Sequence, residues 1–92
     1  MTHYSATASI AGVYFGPKAS AVVRVLESLG RERNRSMGAG FVQDILLHTS
    51  MLPSDVNSVI SSLLAAGLIR RRGKALIEVV LLDADQIRKL VI

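Results

Sequence analysis

The chain has 92 residues, half of them hydrophobic and only 4% aromatic, with eleven Lys and Arg against seven Asp and Glu for a net charge of +4. That length allows one domain, and so aliphatic a composition excludes an intrinsically disordered chain. The apolar stretches Leu63–Ile69 and Ala75–Leu82 fall well short of the roughly 20 residues of a membrane span, and the lack of cysteine excludes disulfides, thiolate chemistry and Cys-ligated zinc.

Residues 1–16 make a weakly patterned lead-in. Met1–Thr7 carries no Lys or Arg and does not read as a secretory signal, so the cytoplasm is the expected location. Ile10-Ala11-Gly12-Val13-Tyr14-Phe15 reads as a short strand or as an arm packed on a neighbour. Gly16-Pro17 is a break, and Pro17 suits the first turn of a helix, where its missing N–H costs nothing. The helix expected over about 17–30 carries Ala19, Val22, Val23, Leu26 and Leu29 at three- and four-residue steps, the stripe of an amphipathic helix. Gly30 and the polar run Arg31–Ser36 close it.

Gly38-Ala39-Gly40 leads into a short helix over about 40–48, with Phe41, Val42, Ile45 and Leu46 on one face. Thr49–Pro53 is a turn. A third helix is expected over about 54–66, with Ser54 as its N-cap and Asp55 complementing the dipole in the first turn. Its apolar positions are Val56, Val59, Ile60, Leu63 and Leu64, and Gly67 is placed to turn left-handed at its end. The pattern then changes to two strands, about 68–71 and 75–82, joined through Arg72-Gly73-Lys74. Asp83 would cap a last short helix over about 84–91, with Ile87, Leu90 and Val91 apolar. The expected organisation is an N-terminal arm, 1–16, followed by a mainly α domain with a small β hairpin, 17–92.

A third helix that leaves through Gly67-Leu68-Ile69-Arg70 into a basic hairpin resembles the winged helix-turn-helix superfamily. The matching residues run from Leu52 to Arg70: the polar entry Pro53-Ser54-Asp55, a leucine-bearing helix, and the Gly-Leu-Ile exit into the wing. The resemblance covers about residues 17–92 and implies a third helix that contacts bases in the major groove of double-stranded DNA. Ser54, Asn57, Ser58, Ser61 and Ser62 are expected to face out. Asn can pair with adenine, and Ser reads a base edge or bonds phosphate. The chain departs from the family pattern in that no Lys or Arg lies between Gln43 and Ile69, and Asp55 would repel phosphate.

Arg70, Arg71, Arg72 and Lys74 place four of the eleven basic residues within five positions. On a hairpin they alternate sides, and Arg72 and Lys74 would be the freest. The resemblance implies a wing resting on phosphates or in the minor groove; the plainer reading is a charged hairpin protected against edge-to-edge pairing. Arg31, Arg33 and Arg35 form a weaker set of backbone contacts, or else complement a helix C-terminus.

Helix-turn-helix proteins commonly pair so that two recognition helices meet half-sites about 34 Å apart. The expectation is a homodimeric transcriptional regulator in the cytoplasm, associated with the nucleoid. The last helix and the Ile10–Phe15 arm are its candidate dimer surfaces. The alternative is a winged-helix protein-interaction module within a larger nucleic-acid-processing or DNA-partition assembly, which the nearly uncharged third helix favours. Enzymatic function is not expected. His3 and His48 sit in no motif, the acids are scattered, and Gly38-Ala39-Gly40 lacks both a preceding strand and a following Lys. No cofactor or metal is implied.

Overall fold

The computed structural model of the chain describes residues 6–32, 38–73 and 75–80. Among these the elements in order are α1 (Ala6–Phe15), α2 (Pro17–Glu32), β1 (Ala39–Gly40), α3 (Val42–His48), α4 (Pro53–Ala66), β2 (Ile69–Arg72) and β3 (Leu76–Val79). The fold is mainly α with a small antiparallel sheet in the order β1-β3-β2. The last helix expected over 84–91, with Asp83, lies outside the described residues, as does the end of the second expected strand.

The periodic segments behave as their stripes require. In α2, Ala19, Val22, Val23, Leu26 and Leu29 are all buried, and in α4 Val56, Ile60 and Leu63 are. With Ile45 of α3, Leu68, Ile69 and Ile77, all of these except Leu29 form one core. Full burial of each large aliphatic side chain contributes about 1.5–3 kcal/mol. That core also carries α2 past its expected end. Gly30 is buried inside the helix, which runs on to Glu32, so packing outweighs the roughly 1 kcal/mol that a helical glycine costs.

Residues 10–15 are neither a strand nor a loose arm: they are the second half of α1. The helix packs mainly on α2 through small residues, with Ala8 and Ala11 in the core. Gly12 lies against α2, where an added Cβ would come within 3.3 Å of Ser20 Cβ. At the N-terminal end the Thr7 hydroxyl donates to the Val80 carbonyl over 3.0 Å, tying α1 to the residue just past the central strand β3. Gly16, left-handed at φ 92°, then turns the chain into α2 at Pro17.

The start of α4 differs from expectation by one position. Leu52 is the N-cap, in extended conformation, and Pro53 is the first helical residue, so Ser54 lies within the first turn and does not cap. Proline's fixed φ favours N1, and this outweighs the capping preference of the serine behind it. The helix ends at Gly67, left-handed at φ 77°, whose N–H donates to Leu64 O while Leu68 N–H donates to Leu63 O. Those two bonds make a Schellman motif and aim the chain directly into β2.

The strand β1 was not expected. Ala39 pairs with Glu78 and Gly40 with Ile77, and Val79 N–H donates to Gly38 O over 2.8 Å. The glycines are there for close approach to α2. A Cβ at Gly38 would lie 2.8 Å from Glu27 Cα, and one at Gly40 would lie 2.8 Å from Leu29 Cδ1. The hairpin register is Ile69↔Val79, Arg70↔Glu78, Arg71↔Ile77 and Arg72↔Leu76, with Gly73 left-handed at the turn. Arg72 therefore belongs to the strand and not to the connection.

Candidate nucleic-acid interface

Side chains on α4 divide by helical period. Ser54, Asn57, Ser58 and Ser61 are all exposed, and their three- and four-residue spacing puts them on one face, opposite Val56, Ile60 and Leu63. Ser62 is half-buried and leaves that set. The exposed face is thus small and polar, so little side-chain bulk keeps the helix axis from a close-lying polymer. Asp55, the lone charge of the helix, bonds the Lys18 ammonium of α2 over 3.1 Å, which offsets its negative charge next to the polar face.

The Schellman turn leads from this helix into β2, where alternation sorts the three arginines. Opposite residues in an antiparallel ladder share a face, so Ile69, Arg71, Ile77 and Val79 lie on one side of the hairpin and Arg70, Arg72, Leu76 and Glu78 on the other. The first side is the one that packs into the core. Arg71 stands on it opposite Ile77, yet is exposed and without an ion-pair partner among the described residues.

On the second side the glutamate is 3% exposed and is held by two guanidiniums. Arg70 Nε donates to Oε1 over 3.2 Å and Arg72 Nη1 donates to Oε2 over 3.3 Å. A carboxylate buried in a central strand is costly unless both oxygens are satisfied by charged donors, and here they are. Each arginine spends one of its five N–H donors in this way, and the side chains remain 55% and 69% exposed. Arg70 and Arg72 are therefore anchored at one edge and open at the other. Arg71, rather than Arg72, is the freest of the three.

Arg31 lies exposed in the last turn of α2, where it complements the helix C-terminus. Lys74, Arg33 and Arg35 lie outside the described residues. In the sequence Glu78 is the one charged residue of the otherwise apolar run Ala75–Leu82. The signal that could have found it was an Arg-x-Arg pair on one strand facing a lone acid on the next. His48 makes a local bond, Nδ1 donating to the Asp44 carbonyl over 2.8 Å. No cluster of three metal-ligating side chains occurs among the described residues, and no helix among them is long and apolar enough to cross a membrane.

Compared with protein-family models, with curated proteins and with solved structures, the chain matches none.

Proposed function

We propose that this chain is a winged helix-turn-helix protein that binds double-stranded DNA as a homodimer and regulates transcription. In this reading α4 enters the major groove, and the β2–β3 hairpin rests on phosphates or in the minor groove. The observation that carries it is the direct succession, along the chain, of a polar helix face and a basic hairpin. The exposed polar face of α4, with Ser54, Asn57, Ser58 and Ser61, passes through a Schellman turn directly into a strand bearing Arg70, Arg71 and Arg72. One surface has the hydrogen-bonding groups that read base edges and the other has the charge that neutralises phosphate. With Lys74 of the connection and Glu78 both counted, four cationic side chains against one carboxylate leave the wing sequence three net positive charges. Such a protein works in the cytoplasm, on the nucleoid, and needs no cofactor.

Fluorescence anisotropy of a labelled mixed-sequence duplex of about 30 base pairs, titrated at several salt concentrations, tests the reading. Micromolar or tighter binding with log K falling steeply against log salt is the expected result, at roughly 0.9 per neutralised phosphate. Absence of binding at low salt sinks it.

A second reading, a protein-interaction module, draws on the exposed apolar side chains. Val13 is 77% and Leu47 80% exposed, and Tyr14 and Phe15 also reach solvent. Weak retention on DNA resin together with partner-dependent burial of Val13 and Tyr14 would favour it.

A further inference from the structure

A groove of about 650 Å³ runs between α2 and the α3–α4 turn and reaches the first turn of α4 at Asp55. Its apolar lining comes from Ala21 and Val25 on a second stripe of α2 and from Met51 and the 65% exposed Leu52 of the turn. Lys18, Arg24 and Asp55 stand at its margin. Of these, Lys18 and Asp55 are paired at 3.1 Å, and Arg24 is exposed with no ion-pair partner among the described residues. Two cations against one carboxylate leave a single positive charge beside an apolar lining. His48 also lines the groove, with its Nδ1 already committed to the Asp44 carbonyl.

From this combination we infer that the groove is a binding site for a small amphipathic carboxylate, an alkyl or aryl acid with its apolar body on Ala21, Val25, Met51 and Leu52 and its head group on Arg24. The volume lies in the range of small-molecule sites, which are mostly apolar with a few polar groups that fix orientation. A monoanion is the charge that the margin lacks. Asp55 is the built-in competitor: it occupies Lys18, and a ligand carboxylate gains a second cation whenever that pair opens. The site also adjoins function, because Leu52 and Asp55 belong to the entry of α4. On the DNA-binding reading above, an acid bound there opposes phosphate at the same helix end, so ligand and DNA antagonise each other. Binding of the acid itself does not rest on that reading.

The test is a methyl NMR titration of the full chain, without DNA, using octanoate and the neutral analogue octanol, each up to about 3 mM. Octanoate is expected to move the methyl signals of Val25, Met51 and Leu52 saturably, with half-saturation near about 1 mM, and octanol to bind several-fold more weakly. Arg24→Gln is expected to weaken octanoate about three- to fivefold, and Asp55→Asn to tighten it by a similar factor. Unchanged signals of the buried Leu63 methyls check that the variants remain folded. The inference is overturned by unsaturable or absent shifts, by shifts centred on Val13 and Leu47, by equal binding of octanol, or by indifference to Arg24→Gln. Failure of octanoate alongside binding of a Glu-rich amphipathic helical peptide assigns the groove to a partner helix and overturns it equally. Antagonism is read separately, by repeating the DNA titration with octanoate present.

Discussion

Arg70 and Glu78 face each other directly across the β2–β3 ladder, with the guanidinium Nε 3.2 Å from a carboxylate oxygen that the protein has removed almost entirely from water. Arg72, two residues further along the same face, closes on the other oxygen. The pair of contacts decides what the wing can offer a polyanion. It fixes two guanidiniums side by side and lowers their combined charge.

Replacing Glu78 with Gln separates those two effects. The amide has one acceptor oxygen where the carboxylate had two, and its NH₂ group meets a guanidinium donor. Stability is expected to fall by about 1–3 kcal/mol, read as a lower urea midpoint at constant m-value. On the DNA-binding reading the same variant binds duplex more tightly, and its log K–log salt slope is steeper by about 1 unit. A stable variant with unchanged slope would show that the carboxylate neither supports the hairpin nor restrains the arginines.

Gly38 and Gly40 predict an order of effects. Alanine at Gly38 places its Cβ 2.8 Å from the Glu27 Cα, a backbone atom that cannot step aside, whereas at Gly40 the nearest atom is Leu29 Cδ1, the end of a side chain. Gly38→Ala is expected to cost about 2–3 kcal/mol and Gly40→Ala about 1–2 kcal/mol. Thermal or urea unfolding gives both. Equal losses would mean that β1 and α2 slide apart as readily as a side chain rotates.

These glycines also show why part of the fold was hidden in the sequence. α2 and α4 were legible because Leu26 or Ile60 contrasts with the polar residues on the opposite face, and the breaks at Gly16-Pro17 and Gly67 because their backbone chemistry is local. In α1 that contrast fails. The residues that reach the core are Ala8 and Ala11, while the larger Val13, Tyr14 and Phe15 point outward, so no stripe marks the helix. A strand of two residues such as Ala39-Gly40 has no period at all and exists only through its distant partner β3. The polar face of α4 could be read in advance from spacing. The hold of Glu78 on Arg70 and Arg72 depends on hairpin register, which composition does not carry.

Gly67 tests a purely local term. It sits at φ 77° with open space where a Cβ would go, so substitution there meets backbone strain and no clash. Gly67→Ala is expected to cost about 1–2 kcal/mol and Gly67→Asn less, since Asn tolerates the left-handed region. A much larger loss from Ala would reveal that the turn also sets how β2 docks.

Asn57 and Arg71 distinguish the two tasks assigned to the interface, and both are exposed. Arg71 is the wing guanidinium without an intramolecular partner among the described residues, so all its donors are available to phosphate. Arg71→Ala should weaken binding to every duplex alike and reduce the salt slope by about 1 unit per subunit. Asn57 carries the only side-chain amide on the exposed face of α4, with both a donor and an acceptor to offer a base edge. Asn57→Ala should cost about 1–3 kcal/mol on a selected site, much less on random sequence, and leave the salt slope unchanged. Anisotropy titrations of both variants against one selected and one scrambled duplex make the comparison. If Asn57→Ala weakens both duplexes equally, α4 does not read sequence in the way its polar face suggests; if Arg71→Ala acts only on the selected site, the wing is not the general anchor. Unfolding free energies from urea titration within about 0.5 kcal/mol of the parent confirm that neither change acts through the fold.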